Sequence, residues 1–168
     1  DLKLILCDFN HQLCRSYVNL FHQFPNSKHI LPNEAVKLNN LEKVEKGSII
    51  YLPANNLENF SNLKIDLITN FFSFGEMTKS TFLDYFNKIQ KSEARYIYLV
   101  NRFISGPFFE KTYNTNTNIF DYSLPNYNKV YFDMFPIHHY IKPKRILFGR
   151  NSNRPMSSPY FEILLKKI

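Results

Sequence analysis

The run L-K-L-I-L-C-D-F at Leu2–Phe9 is almost continuously apolar, with the acid Asp8 at its end, just before Phe9. A strand with one wet face alternates, whereas a strand covered on both faces reads as an unbroken apolar run, so this stretch predicts a parallel sheet covered by helices. Asn10 stands where a helix cap is needed, and Leu13, Tyr17, Leu20, Phe21 and Phe24 recur at helical spacing until Pro25-Asn26.

The same alternation of elements continues. Ser27–Lys46 is polar and poorly periodic; Gly47 then turns into the short strand Ser48–Leu52, closed by Pro53. Ala54–Leu63 is a loop with one helical turn. Ile65–Phe72 predicts a strand, Thr78 or Lys79 to about Lys91 a helix presenting Phe82, Tyr85, Phe86 and Ile89, and Ala94–Asn101 another strand. From Ile104 to Pro143 the pattern degrades, a length commonly functional in a compact domain. Lys144–Gly149 and Tyr160–Lys166 read as a final antiparallel pair. The fold class expected is an α/β three-layer domain, mostly parallel, with an antiparallel strand pair at its C-terminal side.

Size and composition narrow the function. At 168 residues and 44% apolar, the chain can bury one core and is too short for two ordinary domains, so one domain over 1–168 is expected. The net charge of +7 is spread along the chain rather than clustered, which argues against a nucleic-acid footprint and for mild attraction of an anionic ligand. Cys7 and Cys14 have neither metal-ligand nor disulfide-framework spacing, so no metal is expected and a reducing, cytoplasmic setting fits. No apolar run approaches the roughly 20 residues of a membrane span.

Several strand ends carry chemistry-bearing residues. Asp8, at the carboxyl end of a parallel strand, suits a ribose diol; it also suits a turn, and a phosphatase-type nucleophile would want a second acid where Asn10 stands. Ser73 and Glu76, three apart before a helix, read as a capping box, yet they also set two polar groups over the sheet edge beside Gly75, with Phe71, Phe72 and Phe74 as pocket wall. Asn101-Arg102 ends the next strand, and the arginine fork suits a carboxylate or phosphate. Adjacent His138 and His139 are poor as a metal pair, but either suits a general base at neutral pH. His11 stands early in the first helix, close to Asp8 in sequence.

Together, N-F-F-S-F-G-E-M-T at Asn70–Thr78, F-L-D-Y-F-N-K-I at Phe82–Ile89 and Y-I-Y-L-V-N-R at Tyr96–Arg102 resemble the sugar O-methyltransferase family, a branch of the S-adenosylmethionine-dependent methyltransferases with a Rossmann-like sheet. The match covers Ile65–Arg102; Phe71 replaces the threonine that the family has there. The resemblance implies S-adenosylmethionine as cofactor and methylation of a sugar hydroxyl in glycan or polysaccharide biosynthesis. Asp8 would hold the cofactor ribose, Pro53–Asn56 with Asn55 would border the adenine, and Asn70 and Ser73 would lie beside the methionine end. Phe74, Asn101 and Arg102 would contact a small-molecule or glycan acceptor, with Glu76, His138 or His139 as catalytic base. Aromatic walls such as Phe72 and Phe74 would suit the cationic sulfur.

That family also implies a glycine-rich turn after a strand lying between those of Asp8 and Asn70. The glycines here are Gly47, Gly75, Gly106 and Gly149, and none sits in such a turn. The expectation is therefore that this is the later part of a longer methyltransferase domain. The rival readings are a non-catalytic α/β scaffold domain and a sugar-nucleotide-dependent transferase, the latter weakened by the lack of an acidic pair for a diphosphate-bound metal.

Overall fold

The computed structural model describes residues 2–38, 40–60, 63–92, 94–105, 117–136 and 159–168. The chain divides into two compact units, Asp1–Lys64 and Ile65–Ile168.

In the first unit, β1 (Leu4–Asp8), β2 (His29–Ile30) and β3 (Ile49–Pro53) form a parallel sheet in the order β1-β3-β2, with Leu4 opposite Ile49 and Asp8 opposite Pro53. All five residues of β3 are buried, as a strand covered on both faces requires. Helix α1 (Asn10–Gln23) lays Leu13, Tyr17 and Leu20 against Ile49, Tyr51, Leu4 and Leu6. It ends where expected, with the Phe24 N–H donating to the Leu20 carbonyl at 2.8 Å before Pro25 breaks the ladder. Gly47 supplies the turn into β3 at φ 83°, a backbone position that favours glycine.

The segment 27–46 is more ordered than its pattern suggests. Besides β2 it holds α2 (Pro32–Ala35), with proline at its start, and a 3-10 turn at Leu41–Lys43 capped by Asn40. Each piece is anchored by a single buried side chain, Ile30, Ala35 or Leu41, and one anchor per element leaves no period to read. His29 is held by Tyr51 Oη at 2.9 Å and the Phe24 carbonyl at 3.0 Å.

In the second unit, β4 (Leu67–Phe71), β5 (Tyr96–Arg102), β8 (Tyr127–Phe135) and β9 (Tyr160–Lys167) form one sheet in the order β4-β5-β9-β8. Strands β4 and β5 are parallel, with Phe71 opposite Val100; β9 runs antiparallel to both β5 and β8. The short pair β6 (Ile104–Ser105) and β7 (Thr117–Asn118) follows β5. The partner of the last strand is thus Tyr127–Phe135, inside the stretch read as irregular; Lys144–Gly149, expected to pair with it, lies outside the described residues. The reason is local: the ladder is irregular between Lys129 and Tyr131, which breaks the period-two signal, and most of this strand's residues are exposed. Helix α3 (Lys79–Lys91) packs Phe82, Phe86 and Ile89 with Ile97, Leu99, Phe161 and Ile163.

The expected α/β class therefore holds: the first unit's sheet is all parallel, and in the second unit one parallel pair, β4 with β5, is continued by the antiparallel strands β9 and β8. Among the described residues β1 and β4 each pair along one edge only. No helix among them is long and apolar enough to cross a membrane.

Candidate functional site

In the second unit the chain leaves the carboxyl end of β4 through Phe72, which adopts a left-handed conformation at φ 66° and ψ −23°. For a residue with a Cβ this costs roughly 1–2 kcal/mol, so neighbouring contacts must hold it there. Its N–H donates to the Val100 carbonyl at 2.7 Å, and its ring packs edge-on against Tyr160 at 5.0 Å and Phe135 at 6.0 Å. The following residues, Ser73–Glu76, form a 3-10 turn.

Two asparagines brace this turn. Asn101, on β5, is fully buried. Its Oδ1 accepts from the Gly75 N–H at 3.2 Å, and its Nδ2 donates to Asn70 Oδ1 at 3.1 Å. Asn70 Oδ1 also accepts from the Phe74 N–H at 3.4 Å, while its Nδ2 donates to Ser73 Oγ at 2.6 Å. A buried amide with both ends satisfied rigidifies what it touches. Asn101, expected beside the acceptor, thus has both ends of its amide engaged within the protein.

The capping-box alternative for Ser73 and Glu76 is not what forms. Thr78 caps α3, accepting from the Thr81 N–H at 3.2 Å, and Ser73 and Glu76 stand exposed on the preceding turn. Gly75 is buried, and the positive φ falls on Phe72 instead. Phe74, expected as pocket wall, is 3% exposed and belongs to the core with Phe82, Phe86 and Tyr122. The aromatics at the strand ends are Phe71, half-exposed, and Phe72.

Arg102 ends β5 one residue beyond Asn101. Its Nε donates to Tyr160 Oη at 2.8 Å, and its guanidinium lies 5.3 Å from that ring's centroid. On the same sheet the Glu162 carboxylate receives hydrogen bonds from Tyr98 and, at 3.0 Å, from Tyr131. Burial, and then that bond, push the Tyr98 phenol up to about 12. Sequence reading missed this group; its one signal is Tyr98 and Glu162 standing on strands that only tertiary pairing makes adjacent.

In the first unit Asp8 is exposed at the end of β1, and its Oδ1 accepts from the Phe9 N–H at 2.7 Å. Helix α1 has no side-chain cap, although Asn10 was expected to provide one: Asn10 is already the first helical residue. His11 stacks on Phe9 at 5.9 Å. Asn55 is exposed on the 3-10 turn Ala54–Phe60 that follows β3. Cys7 is pushed up to about 12 by burial and by the neighbouring charges of Asp8 and Glu58. His138 and His139 lie outside the described residues. Among the described residues, no group of three His, Cys, Asp or Glu converges as metal ligands do.

No protein-family model and no curated protein matches the chain. Among solved structures it is similar to a protein described as a pericyclic reaction enzyme, at 8% identity and TM-score 0.44 over 100% of this chain and 44% of that one. Two further similar structures are LepI with SAH and a substrate analogue, and LepI with SAM. Both stand at 8% identity and TM-score 0.43, over 100% of this chain and 43% of the other. The chain spans less than half the length of these structures.

Proposed function

We propose that the chain belongs to an S-adenosylmethionine-dependent O-methyltransferase acting on a sugar hydroxyl, in the assembly of a glycan or polysaccharide. The observation that carries this reading is the turn after β4. The residues of the N-F-F-S-F-G-E-M stretch that its family resemblance singles out fold into a braced, strained loop at the carboxyl end of a parallel strand, where open α/β sheets bind ligands.

In each unit, the residues that the resemblance singles out carry side chains of the kinds that the cofactor's groups need. Asp8 keeps a carboxylate oxygen for a ribose diol, since the Phe9 N–H takes only Oδ1. Exposed Asn55 would border the adenine, and Asn70 and Ser73 would hold the methionine end. When bound, the cofactor supplies the activated methyl group. Glu76, exposed on the turn, would take the acceptor's proton, a role His138 or His139 would fill in its place. Arg102, with its guanidinium seated against Tyr160, would steer a glycan hydroxyl or an anionic substituent.

Calorimetry of the full-length protein with S-adenosylhomocysteine tests the reading. Micromolar binding lost in Asp8→Ala, with labelled methyl transfer to glycan acceptors lost in Glu76→Gln, is the expected result. Absence of cofactor binding by the full-length protein would sink it and favour a scaffold role.

A further inference from the structure

We propose that Asn101 is a positioning residue whose buried amide fixes the direction of a hydrogen-bond relay ending at Ser73, so that the Ser73 hydroxyl donates its proton to a ligand carboxylate. The relay stands on the geometry of the second unit alone. Identifying the ligand carboxylate with that of the cofactor's methionine end rests on the cofactor reading above.

An amide side chain can usually be turned over without changing its shape, but here the orientation is dictated. A backbone N–H can only donate, so the Gly75 N–H at 3.2 Å requires the oxygen of Asn101 to face the turn. That leaves the Asn101 nitrogen facing Asn70, and only the oxygen of Asn70 can receive it, at 3.1 Å. A second backbone donor, the Phe74 N–H at 3.4 Å, points to the same Asn70 oxygen. The Asn70 nitrogen must then face outward, and it donates to Ser73 Oγ at 2.6 Å.

The consequence falls on the serine. A hydroxyl has one proton and two lone pairs. Its oxygen is already the acceptor toward Asn70, so its proton turns elsewhere, and among the described residues no protein acceptor takes it. Ser73 is exposed, so the proton is offered outward. Of the two charged groups at the methionine end of the cofactor, the ammonium only donates and the carboxylate only accepts. The proton that the relay turns outward can therefore be taken only by the carboxylate. Reversing the relay would require one of two buried backbone N–H groups to lose its partner, which is the cost that keeps the proton outward.

The test uses the full-length protein and two ligands, S-adenosylhomocysteine and its decarboxylated analogue. Ser73→Ala should weaken the first by about tenfold or more and leave the second unchanged, because a bond to a charged acceptor is lost. Ser73→Thr should restore affinity. Asn101→Asp still accepts from Gly75 but cannot donate to Asn70. It should reproduce the carboxylate-specific loss without touching the ligand, a selectivity that general loosening of the fold would not show.

Amide hydrogen exchange supplies the ligand-free readout. In wild-type protein Gly75 and Phe74 should exchange slowly. In Asn101→Asp, Gly75 should stay slow while Phe74 quickens, as Asn70 turns its nitrogen inward. Equal weakening of both ligands by Ser73→Ala overturns the donor assignment, and fast Gly75 exchange in wild type overturns the relay. Should wild type bind neither compound, the cofactor reading falls and the carboxylate assignment with it, while the exchange pattern still upholds or overturns the relay.

Discussion

Two strand ends carry the candidate chemistry, and they are built on opposite principles. The end of β1 is a local structure: Asp8 accepts from the very next N–H, and α1 starts at once with no side-chain cap. The end of β4 is a tertiary structure. Its turn contains a left-handed phenylalanine and is held by an asparagine borrowed from β5, 26 residues further along the chain. An exposed carboxylate is free to accept from a ligand because the fold asks little of it. A hydroxyl aimed in one direction needs a buried frame behind it.

The comparison breaks most decisively at Asn101. Asn101→Ala should remove about 2–3 kcal/mol of stability in urea unfolding, since it strands the Gly75 N–H and leaves a void, whereas exposed Asp8→Ala should change stability by less than about 0.5 kcal/mol. Equal effects would erase the distinction between the two ends. Phe72 sharpens it next. Phe72→Val should destabilise by about 2 kcal/mol, losing ring contacts and placing a β-branched residue in the left-handed region; Phe72→Gly should recover roughly 1 kcal/mol of that despite lacking any side chain. If glycine proves no better than valine, the strain at this turn is not real.

The smallest effect is a titration. The Tyr98 phenol is raised from 10.0 to about 12 in the folded chain, so its neutral form is the one the fold prefers. Its contribution is fully present below about pH 10 and is lost as pH rises toward about 12, because over that window the native state binds more protons than the unfolded one. Unfolding followed across that range should show a shallower loss of stability in Tyr98→Phe, and tyrosinate absorbance should lose a late phase, short of the one left by Tyr122, which burial raises further still. A wild-type phenol that titrates with the others would remove Glu162 as its partner.

Much of this was legible because it is periodic. Leu13, Tyr17 and Leu20 announced α1, and Phe82, Phe86 and Ile89 announced α3, since one face of each helix must find a core. The unbroken apolar strands announced parallel pairing. Strand β8 was hidden by an irregular ladder, and the 27–46 segment by elements with a single anchor each. Of the strand-end residues, Ser73 and Glu76 were visible as a pair. The same spacing suits a helix cap, and nothing local says that Thr78 takes that role instead.

What the chain's own order of residues determined is therefore the set of elements and the polar residues at their ends. Short-range sterics and the spacing of apolar side chains act within a few residues and can be read directly. Tertiary packing alone decided that Phe74 turns into the core while Phe72 takes the left-handed position. It also decided that Asn101 is buried against the Gly75 N–H, and that Ser73 is left as the donor. Those outcomes depend on which strand lies beside which, and a hydrogen bond's direction is set by the partner across the sheet rather than by the neighbour along the chain.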